Sequence, residues 1–235
     1  MRILALDTAT EACSCALLMS DRLLRRDTEL RKGHTEHILP MVDELLREAA
    51  ITLPMLDAIA FGRGPGSFTG VRLAASVAQG LAFGAGRPVI GISDLRAVAQ
   101  GVAGNNSSAT RVLVCNDARM REVYWACFEK GLDGLMQLVG EEHVGPPGSV
   151  RLPQAWGESS ARSGSAVQGA GRGFGAYEEL RSAWLERLAG IDTARLPAAS
   201  EIALLAAAEL RAGHAVSPEE ALPVYLRDDV AKPGS

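Results

Sequence analysis

The chain has 235 residues, 47% of them hydrophobic and 22% charged, with a formal net charge of −4. That is the composition of a globular protein long enough for one large domain or two small lobes. It lacks the basic excess of a free-standing nucleic-acid binder, and it lacks a run of roughly 18 apolar residues that would make a membrane span.

Residues Ile3–Asp7 read as a buried strand, followed by strands at Ala12–Met19 and Leu23–Glu29 with a turn at Ser20-Asp21. Short strands with tight connections predict a meander. Thr35 is placed to cap a helix, with Glu36 in its first turn. Ile38, Val42, Leu45 and Ala49, with Leu39 and Leu46, recur at helical spacing, and Pro40 falls in the early turns, where its missing N–H costs least. Asp57–Phe61 is the next strand, Thr69–Gly84 a helix, Pro88–Ile92 a strand, and Ser93 caps a helix through Gln100. The order β-β-β-α-β-α-β-α implies an antiparallel ribbon continued by parallel strands.

The polar stretch Gly104–Ser108 marks a boundary, dividing the chain into lobes 1–104 and 105–235. Three strand-like runs follow, Arg111–Asn116, Glu122–Glu129 and Leu135–Glu142. They restart the pattern of the first lobe and hint at a structural duplication without repeated residues. Gly145-Pro146-Pro147-Gly148 opens a weakly patterned region up to Ser165. Ala166–Gly169 then leads into Gly171-Arg172-Gly173-Phe174-Gly175 and a helix to about Ala189. Ser200–Gly213 is amphipathic, and Ser217–Ser235, with Pro218, Pro223 and Pro233, reads as a surface tail.

The cysteines, Cys13, Cys15, Cys115 and Cys127, form no C-x-x-C pair and sit among apolar strand residues, which fits a reducing compartment. Asp7 and Glu11 interrupt the apolar start, so it makes a poor signal peptide. The expected location is the cytoplasm.

The densest feature is Phe61–Gly70, a glycine-rich loop between a strand and a helix N-terminus. Three readings stand open for it: a tight turn with a helix cap, an anion or nucleotide contact, and part of a protein interface. It is no Walker A loop, because no Gly-Lys-Ser/Thr follows Gly62 at the required spacing, and its matches to a dinucleotide fingerprint are loose. The helix beyond it is apolar nearly all round, broken only by Arg72, Ser76 and Gln79. Such a helix is covered on all sides, either by its own fold or by another chain. Asp7, Thr8 and Thr10 follow the first strand, where they suit either a turn or a metal-bound phosphate. His34 and His37 share a helix face, but no third ligand is apparent and H-E-x-x-H is absent. No nucleophile elbow is present.

Four segments and the tail resemble a known family. They are Leu6-Asp7-Thr8-Ala9-Thr10, His34–Pro40, Gly64-Pro65-Gly66-Ser67-Phe68-Thr69-Gly70-Val71-Arg72, Asp117–Tyr124, and Pro223-Val224-Tyr225-Leu226-Arg227. Together they are similar to the TsaB/YeaZ family. The likeness is dense over roughly the first 125 residues and at the tail, and sparse between about Gly131 and Ala215. The resemblance implies an α/β, two-lobed actin/Hsp70/sugar-kinase-like (ASKHA) fold with a reduced second lobe. It implies a non-catalytic subunit required for threonylcarbamoylation of adenosine 37 in tRNAs that read ANN codons. Such a subunit supports the TsaD threonylcarbamoyltransferase together with the TsaE ATPase, self-associates as a homodimer when alone, and meets tRNA only through the complex.

The catalytic relative carries a metal-binding H-x-x-x-H pair whose positions match Asp94 and Val98 here, so neither a metal nor a cofactor is implied. The second lobe also lacks the relative's nucleotide loop. Asp7, Thr8, Gly66 and Ser67 then read as a vestigial nucleotide site. The two helices of the first lobe become the expected partner interface, through His34, Ile38, Val42, Leu45, Val71, Arg72, Ala75, Ala78 and Gln79. The alternative is an ASKHA-type ATP-dependent enzyme or a glycoprotease-like peptidase.

Overall fold

The computed structural model describes residues 1–20, 22–30, 32–157 and 166–227. Asp21 of the predicted turn, the end of the weakly patterned region and the tail beyond Arg227 lie outside the described residues.

The first lobe is a five-stranded sheet of order β3-β2-β1-β4-β5. Its strands are β1 (Arg2–Asp7), β2 (Ala12–Met19), β3 (Arg22–Glu29), β4 (Ala58–Gly62) and β5 (Val89–Ile92). The first three pair antiparallel, and β4 and β5 add in parallel. The central strands β1 and β4 are buried almost throughout, as strands covered on both faces must be.

Helices α1 (His34–Ala49) and α2 (Phe68–Ala85) cover one face. Ile38, Val42 and Leu45 share a core there with Leu4, Leu6 and Phe61 of the sheet and with Ala74, Ala78 and Ala82. Each large aliphatic side chain buried in this way contributes about 1.5–3 kcal/mol. The other face is covered by α6 (Ala199–Arg211), whose Ile202, Leu205 and Ala206 pack on Ile3, Ala5 and Ile90.

The second sheet has the order β10-β9-β6-β7-β8. Its strands are β6 (Arg111–Arg119), β7 (Glu122–Lys130), β8 (Met136–Gly145), β9 (Val167–Ala170) and β10 (Gly190–Asp192). β6, β7 and β8 pair antiparallel, while β9 and β10 add in parallel beyond β6. Strand for strand, this repeats the first sheet. Helix α3 (Asp94–Asn105) covers one face, and α4 (Gly173–Ala176) and α5 (Glu178–Trp184) pack on the other.

The two halves exchange helices. α3, which ends the first half of the chain, packs on the second sheet, and α6 from the second half packs on the first. A cut after residue 104 thus falls at the end of α3 without separating the two packing units.

Several local expectations are corrected. The helix expected to be capped by Thr35 begins at His34, preceded by Gly33 at φ 92°. The helix expected to stop at Gln100 runs to Asn105 through Gly101 and Gly104, because Val102 and Ala103 are buried against the second sheet. That burial outweighs the roughly 1 kcal/mol that each glycine costs a helix. The helix expected to reach about Ala189 ends at Trp184, and the short edge strand β10 follows. The tail is tied down: Val216 bridges Val89, and the Val224 N–H donates to the Arg63 carbonyl at 2.7 Å.

Candidate functional site

A cleft of about 1020 Å³ opens between the lobes. One wall is the β1–β2 turn with the glycine loop, and the other is the β6–β7 turn with the loop after β9. Thr8, Gly66 and Ser67 of the expected nucleotide site line it.

Asp7 does not line the cleft. It is wholly buried, as is Asp94 at the start of α3. One oxygen of each carboxyl is held by backbone: Asp7 Oδ1 accepts the Ala9 N–H at 2.9 Å, and Asp94 Oδ2 accepts the Gly64 N–H at 2.5 Å. The remaining oxygens, Asp7 Oδ2 and Asp94 Oδ1, meet no protein donor. Both carboxyls crowd the α-carbon of Gly62, where a β-carbon would collide with each. Two carboxylates cannot hydrogen-bond without a proton between them. Burial pushes Asp7 up to about 6, against the pull of the Ala9 N–H. Burial, and then the charge of Asp7, drive Asp94 well above the usual carboxylate range. The two carboxyls are thus buried neighbours under Gly62, each tied by one oxygen to backbone and each shifted toward its protonated form. Of the two readings open for Asp7, a turn residue or a holder of a metal-bound phosphate, the structure places its carboxyl in the turn, bound to the Ala9 N–H and buried away from the cleft.

The glycines of the loop are explained by close backbone approach. A β-carbon on Gly66 would press on the Ala9 carbonyl, and one on Gly70 would collide with the Thr8 carbonyl. Ser67 N–H donates to the Ala9 carbonyl at 2.7 Å, and the Thr8 hydroxyl donates to the Gly70 carbonyl at 2.7 Å. The start of α2 is thus clamped onto the β1–β2 turn. Of the three open readings, the tight turn with a helix cap describes what the loop does.

Three arginines reach the cleft, and each faces carboxylates of the protein itself. Arg119 pairs with Glu11 at 2.8 Å and Asp117 at 2.9 Å. Arg172 pairs with Glu29 at 2.9 Å and Glu11 at 3.5 Å, and Arg227 pairs with Glu122. A phosphate entering here would have to displace these partners. No cluster of three or more histidine, cysteine, aspartate or glutamate side chains suited to a metal is found among the described residues. His34 serves the cleft wall, its Nε2 lying 3.0 Å from the Thr10 carbonyl.

The expected interface residues divide sharply. Ile38, Val42, Leu45, Val71, Ala75 and Ala78 are buried in the chain's own core. Their spacing marks the inward face of each helix, so as contact residues they are corrected. Gln79 donates to the Ala221 carbonyl at 3.1 Å and holds the tail. Arg72 stays at the surface, stacked 3.7 Å over the Phe68 ring, with its Nε donating to the Tyr225 hydroxyl at 2.7 Å. The outward face of α2 carries Arg72, Ser76, Gly80 and Phe83, the last 74% exposed, and Leu39 is exposed on α1, which covers the same face of the sheet. An amphipathic pattern and an interface both show as apolar residues in sequence. What separates them is position on the helix: a β-carbon on Gly80 or Gly84 would meet nothing within 4 Å, whereas Ala78, Ala82 and Ala85 are covered.

The Asp7–Asp94 partnership was not legible from spacing. The second-lobe wall carries another missed signal. Arg119, Met120 and Arg121 adopt φ of 60°, 53° and 61° in succession, a left-handed run costly for non-glycine residues.

Comparison with known proteins places this architecture. Residues 28–235 match the family model described as TsaD, tRNA N6-adenosine threonylcarbamoyltransferase. The chain is 43% identical to the tRNA threonylcarbamoyladenosine biosynthesis protein TsaB of Escherichia coli K12, across 98% of this chain and 96% of that protein. It is 40% identical to the Haemophilus influenzae protein of the same name, across 98% and 95%. The crystal structure of YeaZ from Pseudomonas aeruginosa superposes with a TM-score of 0.83 at 44% identity, covering 96% of this chain and 99% of that one. A second structure, of a Pseudomonas aeruginosa protein described as similar to the peptidase YeaZ, superposes with a TM-score of 0.84. With its two sheets of matching topology and its full-length likeness to these proteins, the chain belongs to the TsaB/YeaZ family.

Proposed function

We propose that this chain is a supporting subunit in threonylcarbamoyladenosine biosynthesis on tRNA, and that it works by binding a catalytic TsaD-type threonylcarbamoyltransferase rather than by catalysing a step itself. Full-length likeness to TsaB supports the process. One observation carries the non-catalytic role. The positions matching the catalytic relative's histidine pair are Asp94, buried beside Asp7, and Val98, buried against the second sheet. Neither presents a metal ligand to the cleft. The arginines of the cleft are engaged by the protein's own acids, which supports a vestigial rather than working nucleotide site at Thr8, Gly66 and Ser67.

The outward face of α1 and α2 is the surface that suits the partner. Its apolar and small residues allow close helix approach, and in the partner's absence the same face serves a homodimer. A TsaE-type ATPase completes the assembly, and tRNA is met through the complex. Among the described residues no helix is long and apolar enough to cross a membrane, which supports a cytoplasmic location.

Reconstitution tests this. Purified chain, TsaD-type subunit and TsaE-type ATPase are mixed with tRNA and threonylcarbamoyl-adenylate, omitting one protein at a time. Product is expected only when the TsaD-type subunit is present, and it should fall steeply without this chain. ATP turnover, peptide cleavage or tRNA modification by the isolated chain would overturn the reading in favour of an enzyme.

A further inference from the structure

The two lobes are joined in two unlike ways. Away from the cleft, the exchanged helices α3 and α6 lie against each other, each packed on the other lobe's sheet. Arg96 of α3 meets Glu209 of α6 at 2.6 Å, with little of either side chain exposed. No residue of either helix lines the cleft. Apolar burial and a largely buried ion pair hold this side, and salt screens neither strongly.

Across the mouth of the cleft the link is ionic. Glu11, in the turn after β1, spreads its two oxygens over two arginines of the second lobe: Oε1 meets Arg119 at 2.8 Å and Oε2 meets Arg172 at 3.5 Å. Glu29, at the end of β3, accepts from Arg172 Nη2 with both oxygens, each at 2.9 Å. These groups stand in water, the Arg119 and Glu29 side chains being 73% and 65% exposed. Exposed pairs contribute little one by one and are screened by salt, but charges that share partners act together. The tail adds a further link whose second-lobe end is also ionic: Val224 is held by the Arg63 carbonyl, and Arg227 by Glu122 and the Ala118 carbonyl.

The second lobe spends unusual backbone on placing these arginines. Gly171 and Gly173 flank Arg172 and let its loop press onto the Cys115 carbonyl, where a β-carbon at either position would collide. The left-handed run of the β6–β7 turn, costly without glycine, has Arg119 as its first residue. The two arginines are not equivalent. Arg119 also holds Asp117 of its own lobe at 2.9 Å, whereas the two carboxylates that meet Arg172 both belong to the first lobe. Parting the lobes leaves Arg119 one partner and takes both from Arg172.

We propose that Arg172 is the catch of an electrostatic clasp, which closes the cleft through Glu11 and Glu29 with Arg119 as a second contact, and that the lobes part about the α3–α6 contact when the clasp is screened or cut. The glycine-flanked loop then positions the catch rather than a ligand, and ionic strength sets how far the cleft stands open.

Double electron–electron resonance between two spin labels tests this. The labels sit at His37→Cys on α1 and Ala183→Cys on α5, both exposed and neither lining the cleft. The four native cysteines are buried. The labelled full-length chain is diluted into excess unlabelled chain, so that distances within one chain are read. One narrow distance is expected at low salt. It should lengthen by several ångström and broaden at about 1 M sodium chloride, where the Debye length falls to about 3 Å. At low salt, Arg172→Gln should have the same effect, Arg119→Gln a smaller one, and Arg172→Lys should stay nearest the parent. Arg22→Gln, which cuts an exposed pair with Glu48 inside the first lobe, should change nothing. Circular dichroism checks folding, and the salt series keeps the clasp residues intact, so it decides the matter even where a variant does not fold. A distance that stays fixed at high salt, that stays fixed in folded Arg172→Gln, or that Arg22→Gln moves as far as Arg172→Gln does, would overturn the clasp.

Discussion

The two lobes solve the same packing problem with different residues. In the first, the loop after β4 folds its glycines against the backbone of Thr8 and Ala9. In the second, the loop after β9 does the same: a β-carbon on Gly171 or Gly173 would run into the Cys115 carbonyl at the end of the buried part of β6. The first glycine loop pins a helix start onto the first hairpin turn of its sheet, and the second pins one onto strand β6 at Cys115. The lobes differ in what lies beneath and beyond. Under the first loop is the acid pair Asp7–Asp94, whereas under the second is the amide of Asn116, buried with both polar atoms unpartnered. The first loop launches the 18-residue α2, and the second only the 4-residue α4 and the 7-residue α5. The same device supports a long exposed helix face in one lobe and a compact cap in the other. Loop glycines alone therefore do not signal a ligand.

The largest expected effect tests that equivalence. Gly70→Ala should cost about 3 kcal/mol, and Gly173→Ala about 2, because each forces a backbone to move. Gly80→Ala in the same helix as Gly70 should instead stabilise by about 0.5–1 kcal/mol, since its site is open and alanine favours helix. Urea unfolding of the three variants checks this. A neutral Gly173→Ala would break the comparison.

The acid pair gives the next effect. Burial raises Asp7 to about 6, and burial and the charge of Asp7 hold Asp94 well above the usual carboxylate range. From about pH 4 upward the folded chain holds a proton that the unfolded chain releases, so this pair subtracts stability as pH rises. Asp94→Asn keeps the acceptor for the Gly64 N–H and offers an amide donor to Asp7. It should be more stable than the parent by roughly 1–3 kcal/mol at about pH 8, with the gap closing near about pH 4. A variant that is destabilised equally at both pH values would deny the raised titration of this pair.

Binding comes third. Phe83→Glu, on the outward face of α2, should weaken the partner complex at least tenfold, about 1.4 kcal/mol, with little change in unfolding. Ala78→Glu, buried on the inward face, should unfold the chain. Calorimetry with the TsaD-type subunit, alongside circular dichroism, separates the two. The smallest effect lies in the second-lobe turn: Met120→Gly should stabilise by about 1 kcal/mol by releasing a left-handed non-glycine residue.

Much of the fold was legible. Period-two and period-3.6 patterning placed the first-lobe elements, and three strand-like runs after Ser108 announced the duplication. The end of α3 and the edge strand β10 were not legible, since tertiary burial overrode the local signal of Gly101 and Gly104, and three residues are too few to show a period. The candidate site was less readable. Helical spacing identifies an apolar stripe but does not say whether sheet or partner covers it, so Ile38, Val42, Leu45, Val71, Ala75 and Ala78 read as an interface although they are core. Asp7 and Asp94 are far apart in sequence and are neighbours because β1, β4 and β5 lie side by side in parallel, with Asp7 ending β1 and α3 starting just after β5.

The most direct test of the central claim is made in cells. The chain is depleted, wild type or Gly80→Glu is supplied in its place, and threonylcarbamoyladenosine in tRNA is measured by mass spectrometry. The modification should fall on depletion, return with wild type, and stay low with Gly80→Glu although that variant is folded and present at normal level. Unchanged modification after depletion would contradict a role in this pathway, and full rescue by Gly80→Glu would contradict the helix face as the partner surface.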